Sequence, residues 1–170
     1  PAMNPWLITF LITLALVITI DTHGAAKNLL KCIEDVGCQG LPTLKYVVYD
    51  NLKFFLIDET ILRLAPLLVA YTVFGPSNQV IALTVLVVFD AGYILGSAHG
   101  IGIVKRLIGA ALMISLWVLL MPIIGLWLTY VSVIAFRLLL AVVVYYLAMA
   151  SIRHVCAGKC PESRREMHIN

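Results

Sequence analysis

Five apolar stretches, separated by short polar segments, set the pattern of this chain. The first covers residues 4–20, or ~25 Å at the ~1.5 Å rise of an α-helix, enough for a thin hydrocarbon core. No basic segment precedes it and no small-x-small cleavage site follows it, so it reads as a permanent span rather than a cleaved leader. The second, 61–74, runs into the turn signal Gly75-Pro76-Ser77-Asn78. It is too short to cross a bilayer unless its helix starts near Phe54. Residues 80–103, 107–128 and 130–152 supply three more spans. All five are apolar on most faces, so helical period does not separate a lipid side from a packed side. No internal repeat or low-complexity tract interrupts them.

Residues 21–59 break the pattern. Asp21, Lys27, Lys31, Glu34, Asp35, Lys45, Asp50, Lys53, Asp58 and Glu59 are interleaved with Tyr46, Val47, Tyr49, Phe54 and Leu56. Tyr46, Asp50, Lys53 and Ile57 share one helical face, so polar and apolar faces are incompletely separated. This predicts an interfacial helix that runs into the second span.

Composition decides the class. Hydrophobic residues make up 62% of the 170 and mean hydropathy is +1.00, more apolar surface than a soluble domain of this size hides. Charge then sets the orientation. Lys105 and Arg106 fall between the third and fourth spans, and Arg153, Lys159, Arg164 and Arg165 follow the fifth. With five spans these lie on one side, together with Lys27, Lys31, Lys45 and Lys53. Residues 1–4, 75–79 and 128–130 lie opposite and carry no basic side chain. The positive-inside rule therefore predicts an external N-terminus and a cytoplasmic C-terminus in the cell membrane. The net charge of +3 is this asymmetry and points to no nucleic-acid partner. The expected fold is an all-α integral membrane protein, a bundle of five transmembrane helices with a cytoplasmic amphipathic segment between the first two. One transmembrane domain spans 1–155 and a basic cytoplasmic tail spans 156–170.

Candidate chemistry begins with charges inside the spans. Asp90 lies about halfway along the third and Arg137 about a third of the way into the fifth, at depths of ~16 Å and ~12 Å by the helical rise. Intramembrane charges are usually paired and often functional. The two form either a structural ion pair or part of an ion path, and a third reading leaves them out of contact. Cys32 and Cys38, spaced C-x5-C, and Cys156 and Cys160, spaced C-x3-C beside His154, fall on the cytoplasmic side. Four thiols would satisfy zinc or an iron–sulfur cluster. The loose spacings also fit a structural disulfide within each pair or across the two, or free thiols. His23 and His99 read as solvated interfacial side chains. Gly96, Gly100 and Gly102 lack the strand and the Lys-Ser/Thr of a phosphate loop, and read as allowing close helix approach or a kink. No Ser-His-Asp arrangement, HExxH or paired-carboxylate site is present, which argues against soluble-enzyme catalysis.

Several short motifs follow a familiar order. Asp50-Asn51-Leu52-Lys53-Phe54-Phe55, then Glu59, then Leu64-Ala65-Pro66 resembles the amphipathic segment and second helix of the H-subunit family of complex I. Gly92-Tyr93-Ile94-Leu95-Gly96 and Gly109-Ala110-Ala111-Leu112-Met113-Ile114-Ser115 are similar to the end of that family's third helix and to its fourth. Arg153 followed by Pro161-Glu162-Ser163 is weakly similar to its acidic loop after helix five. The likeness extends over about residues 40–165. The departures are specific. A family Glu falls at Trp117, a family Gln at Leu112, and the acidic loop is reduced to Glu162 and Glu166. The last three family helices have no counterpart.

The resemblance implies a shortened, five-helix member that keeps the scaffold and docking surface but loses part of the quinone chamber and proton path. The expected function is that of a non-catalytic membrane subunit. It would anchor the electron-transfer arm of a complex I-like or membrane-bound hydrogenase-like ion pump. Asp50, Lys53, Asp58, Glu59, Lys105, Arg106 and Arg153 are the expected docking residues. Membrane lipid, other membrane subunits and a soluble arm are the expected partners. A quinone or iron–sulfur cluster would be held only through partner subunits. A free-standing transporter or channel built on Asp90 and Arg137 is the rival reading, and a structural scaffold protein is the third.

Overall fold

The computed structural model describes the backbone of residues 2–97 and 100–159, and the side chains of 2–97, 100 and 102–153. Helix α1 covers Pro5–Val36, followed by a 3₁₀ turn at Cys38–Gly40. Helix α2, Leu44–Glu59, passes through a π-helical segment, Thr60–Leu64, into α3, Ala65–Phe74. Helix α4 is Gln79–Ser97. The remaining helical stretch, Ile101–Lys159, is broken at Gly125, whose φ of 82° and ψ of 173° are non-helical. It therefore comprises two helices, α5 (101–124) and α6 (126–159). Among the described residues there is no strand.

Local chemistry explains the starts and breaks. Asn4 Oδ1 accepts the Trp6 N–H at 2.9 Å, Thr43 Oγ1 that of Tyr46 at 3.3 Å, and Asn78 Oδ1 that of Ile81 at 3.2 Å. Each oxygen satisfies an amide that the first helical turn leaves without a carbonyl. The π segment has its own cause. Pro66 lacks an N–H, and in a regular helix its ring would collide with the Leu62 carbonyl. The Ala65 N–H instead reaches back to the Thr60 carbonyl, widening the turn just before the proline.

Among the described residues, three helical stretches are long and apolar enough to cross a membrane: Pro5–Val36, Gln79–Ser97 and Gly102–Arg153. The last would measure ~78 Å unbroken, more than twice a ~30 Å hydrocarbon core. Its interruption at Gly125 is a backbone state essentially restricted to glycine. The break falls upstream of the turn expected at Leu128-Thr129-Tyr130, because Pro122 and Gly125 end the helix there. The expected third span, 80–103, is also shorter, since α4 stops at Ser97 and Gly100 turns with φ 62°. A Cβ built at Gly96, Gly100 or Gly102 would meet nothing within 4 Å. These glycines therefore mediate no close helix approach among the described residues.

The exposed surface is strongly apolar: Ile123 is 78%, Val80 75% and Leu95 67% exposed. Hydroxyls in the apolar helices bond within their own helix. Thr13 donates to the Thr9 carbonyl at 2.6 Å, Thr72 to Leu68 at 2.8 Å and Thr84 to Val80 at 2.8 Å. Such bonds satisfy polar groups where no water is present.

The chain divides into two compact units, Pro1–Val17 with Leu52–Arg137, and Ile18–Asn51 with Leu138–Asn170. In the first, Leu67, Leu86, Leu112, Trp117 and Val133 are buried, and residues 112–117 of α5 are buried on every face. In the second, Leu29, Ile33, Cys38, Ala148 and Ile152 form an apolar core. There the Tyr145 hydroxyl donates to the Pro42 carbonyl at 3.0 Å.

Candidate functional site

The first unit encloses five charged side chains. Phe55, Glu59 and Arg63 are spaced four apart, which puts them on one face of the continuous α2–π–α3 helix. The buried positions of α4 have the same spacing: Ala82, Leu86, Asp90 and Ile94. Asp90 is thus the polar member of an otherwise apolar stripe, held against the π segment. From α6, Arg137 lies over the Phe55 ring with its guanidinium carbon 4.2 Å from the centroid. That stacking suits a cation removed from water.

The hydrogen bonds define a chain of charge. Arg63 grips Asp90 bidentately, Nη2 to Oδ1 at 2.8 Å and Nε to Oδ2 at 3.1 Å. Its Nη1 donates to Glu59 Oε1 and lies 3.8 Å from Asp58 Oδ2. Arg137 Nη1 donates to the same Glu59 oxygen at 2.7 Å and to Asp58 Oδ2 at 2.6 Å. The Trp117 Nε1–H satisfies the other Glu59 oxygen at 2.9 Å. Next to this cluster, the Thr60 and Tyr130 hydroxyls are bonded at 2.8 Å. Glu59 is fully buried, and Arg63 and Asp90 are 2% and 3% exposed. Desolvation this complete is tolerated only with dense pairing.

This arrangement redistributes the expected site. Asp90 and Arg137 both belong to it, but Asp90 takes Arg63 as its partner and Arg137 takes Asp58 and Glu59. The two are joined through Glu59 and Arg63. Asp58 and Glu59, expected on a docking strip, point into the cluster, because the helix carrying them continues directly into the second apolar stretch. Asp50, Lys53, Lys105, Arg106 and Arg153 are exposed, and Arg106 donates to Ser97 Oγ at 2.8 Å. Tyr46, Asp50, Lys53 and Ile57 form the exposed face of α2. Phe54 is exposed whereas Phe55 is buried.

Arg63 and Trp117 are site residues that the sequence does not announce. Arg63 sits inside an apolar run, where its spacing of four from Glu59 is the available signal. Trp117 stands in an apolar stretch of α5 with no charge beside it in sequence. Of the cysteines, Cys32 donates its thiol to the Gly40 carbonyl at 3.4 Å and Cys38 is in the apolar core of the second unit. The side chains of His154 and Cys156 lie outside the described residues, as do His99, Cys160 and the remainder of the basic tail. Among the described residues, no group of three or more His, Cys, Asp or Glu is placed to hold a metal.

Chemically, the cluster is a continuous chain of paired carboxylates and guanidiniums running from Asp58 to Asp90, with the Glu59 Oε1 atom shared by both guanidiniums at its centre. Comparison with known protein families, with curated proteins and with solved structures finds no match to this chain.

Proposed function

We propose that this chain is the membrane subunit of a redox-driven ion-pumping complex of the complex I or membrane-bound hydrogenase kind, itself non-catalytic. The buried five-charge network is the observation that carries this reading. Ionisable groups inside membrane segments are costly to bury, and where they occur they commonly mark ion or proton paths. The resemblance noted over residues 50–66 falls on the same helix, with Glu59 and Leu64-Ala65-Pro66 at the π segment. π segments are frequent at functional sites.

In this reading five helices cross the cell membrane. They are residues 5–20 of α1, residues 54–74 through the π segment, α4, and α5 and α6 separated at Gly125. The N-terminus is external and the C-terminus cytoplasmic. Asp50, Lys53, Lys105, Arg106 and Arg153 then present exposed charge on the cytoplasmic side for a soluble electron-transfer arm.

Mild-detergent purification from the native membrane tests this. Co-purification with iron–sulfur and antiporter-type subunits is the expected outcome. Recovery as a lone homo-oligomer that acidifies reconstituted vesicles would instead identify a free-standing transporter using the same network. Recovery alone with no flux would leave a structural scaffold.

A further inference from the structure

Asp58 and Glu59 end α2, and Arg63 lies inside the π segment Thr60–Leu64. Beyond it, Leu67 and Ala70 are buried on α3, which packs against α4. One flank of the turn therefore carries the carboxylates and the other is fixed by packing. The turn sets the phase between them. The Ala65 N–H reaches back to the Thr60 carbonyl, so this turn takes up one residue more than an α-turn. Closed as an unbroken α-helix, the same sequence would rotate one flank against the other by ~100° and shift it ~1.5 Å along the axis. A carboxylate carried ~5–6 Å from that axis would swing through ~8 Å. Glu59 is held to Trp117 at 2.9 Å and to Arg137 at 2.7 Å, and such bonds fail beyond ~3.2 Å. The network exists only with the wide turn in place.

We propose that Pro66 is a positioning residue of the charge network, acting through the wide turn that it holds open. Pro66 is buried and touches none of the five charges by a polar group. It has no N–H for the Leu62 carbonyl, and its ring keeps that carbonyl from closing an α-turn. With alanine there, an amide becomes available to Leu62 and the turn closes at the expense of the phase. The surplus residue is identifiable as well. Ile61 is 61% exposed, so deleting it empties no core position. An unbroken α-helix lacking Ile61 keeps α2 and α3 at their present phase. Glu59 and Arg63 are then three apart instead of four, still neighbours on one helix face.

The indole N–H signals of the full chain in detergent micelles, isotope-labelled at tryptophan and read by NMR, test this. Trp6, Trp117 and Trp127 supply three signals. Trp117→Phe identifies the one that reports the bond to Glu59, and Glu59→Ala gives its position without that bond. Pro66→Ala should move the Trp117 signal to the Glu59→Ala position and leave those of Trp6 and Trp127 in place. Pro66→Ala combined with deletion of Ile61 should return it to the wild-type position. A wild-type Trp117 signal in Pro66→Ala would overturn the assignment, since packing alone would then hold the turn. So would a folded double variant whose Trp117 signal stays at the unbonded position. If Pro66→Ala alone fails to fold, the double variant decides: recovery of fold and signal supports the role of Pro66, and continued failure overturns it. Failure to co-purify with redox subunits would sink the proposed function and leave these signals unaffected.

Discussion

The two compact units solve burial in opposite ways. The second packs Leu29, Ile33, Cys38, Ala148 and Ile152 against one another, with no charged side chain in that core among the described residues. The first also buries many apolar side chains, yet holds Asp58, Glu59, Arg63, Asp90 and Arg137 in the same unit as Leu67, Leu86, Trp117 and Val133. An apolar core loses stability in proportion to the atoms removed and the cavity left, with no partner charge stranded. An ionic core does not, since each member satisfies two or more others. Removing one member strands its partners, whereas removing a matched pair leaves nothing uncompensated. The difference sets an apolar core in one unit against an ionic core in the other, and it can be broken by substitution.

The largest effect is expected at Arg63, which binds Glu59 and Asp90. Arg63→Gln should cost about 3–5 kcal/mol of unfolding stability, the usual penalty for stranding a buried charge. Adding Asp90→Asn should recover much of it. Unfolding in mixed micelles of graded denaturing-detergent content measures both. A double variant no better than the single one would mean that Arg63 acts by its bulk rather than its charge.

Trp117 comes next. Trp117→Phe keeps an aromatic ring in place of the indole but removes the donor to Glu59 Oε2. Loss of a hydrogen bond to a buried charged group costs about 1.5–3 kcal/mol. The same unfolding assay should register it, together with loss of ion-coupled activity in the reconstituted complex. Full stability would show that another donor reaches Glu59.

These sites also mark where sequence reading stops. The five apolar stretches are plain, and they correspond to α1, the α2–α3 helix, α4, α5 and α6. Asp90 and Arg137 stand out as charges in apolar surroundings, and both sit in the cluster. Their pairing is hidden. Ala82, Leu86, Asp90 and Ile94 form the buried stripe of α4, but the other faces of that helix are equally apolar, so period carries no signal. Asp58 and Glu59 follow Asp50 and Lys53 closely and share their character. Only the continuation of α2 through the π segment carries them into the apolar stretch. The break at Gly125 is obscured by Leu126-Trp127-Leu128, which extends the apolar pattern past the turn.

Gly125 provides the third test. Its φ of 82° and ψ of 173° lie where an L side chain is strained, so Gly125→Ala should cost about 1–3 kcal/mol. The break separates α5, which carries Trp117, from α6, which carries Arg137, so a change in its geometry should disturb the cluster. Crosslinking of paired cysteines placed at Tyr71 and Met121, whose side chains meet at 3.0 Å, reads the displacement. Unchanged crosslinking and stability would mean that the turn is set by its neighbours rather than by glycine.

The smallest effect belongs to the second unit. Ile152 is 1% exposed and packs with Leu29, Ile33, Cys38 and Ala148. Ile152→Val removes one buried methylene and no polar contact. Such changes cost about 0.5–1.5 kcal/mol in water-soluble cores. The lower end is expected here if the unit lies in lipid, which solvates an exposed methyl as well as the core does. Ion-coupled activity should be unchanged, since no charge gains or loses a partner. Measured beside Trp117→Phe, this substitution decides whether the two cores differ in kind. A loss at Ile152 equal to that at Trp117, with activity also reduced, would mean that the apolar core is coupled to the charge network and that the division of labour fails. A small stability loss with intact activity would assign the second unit to packing alone.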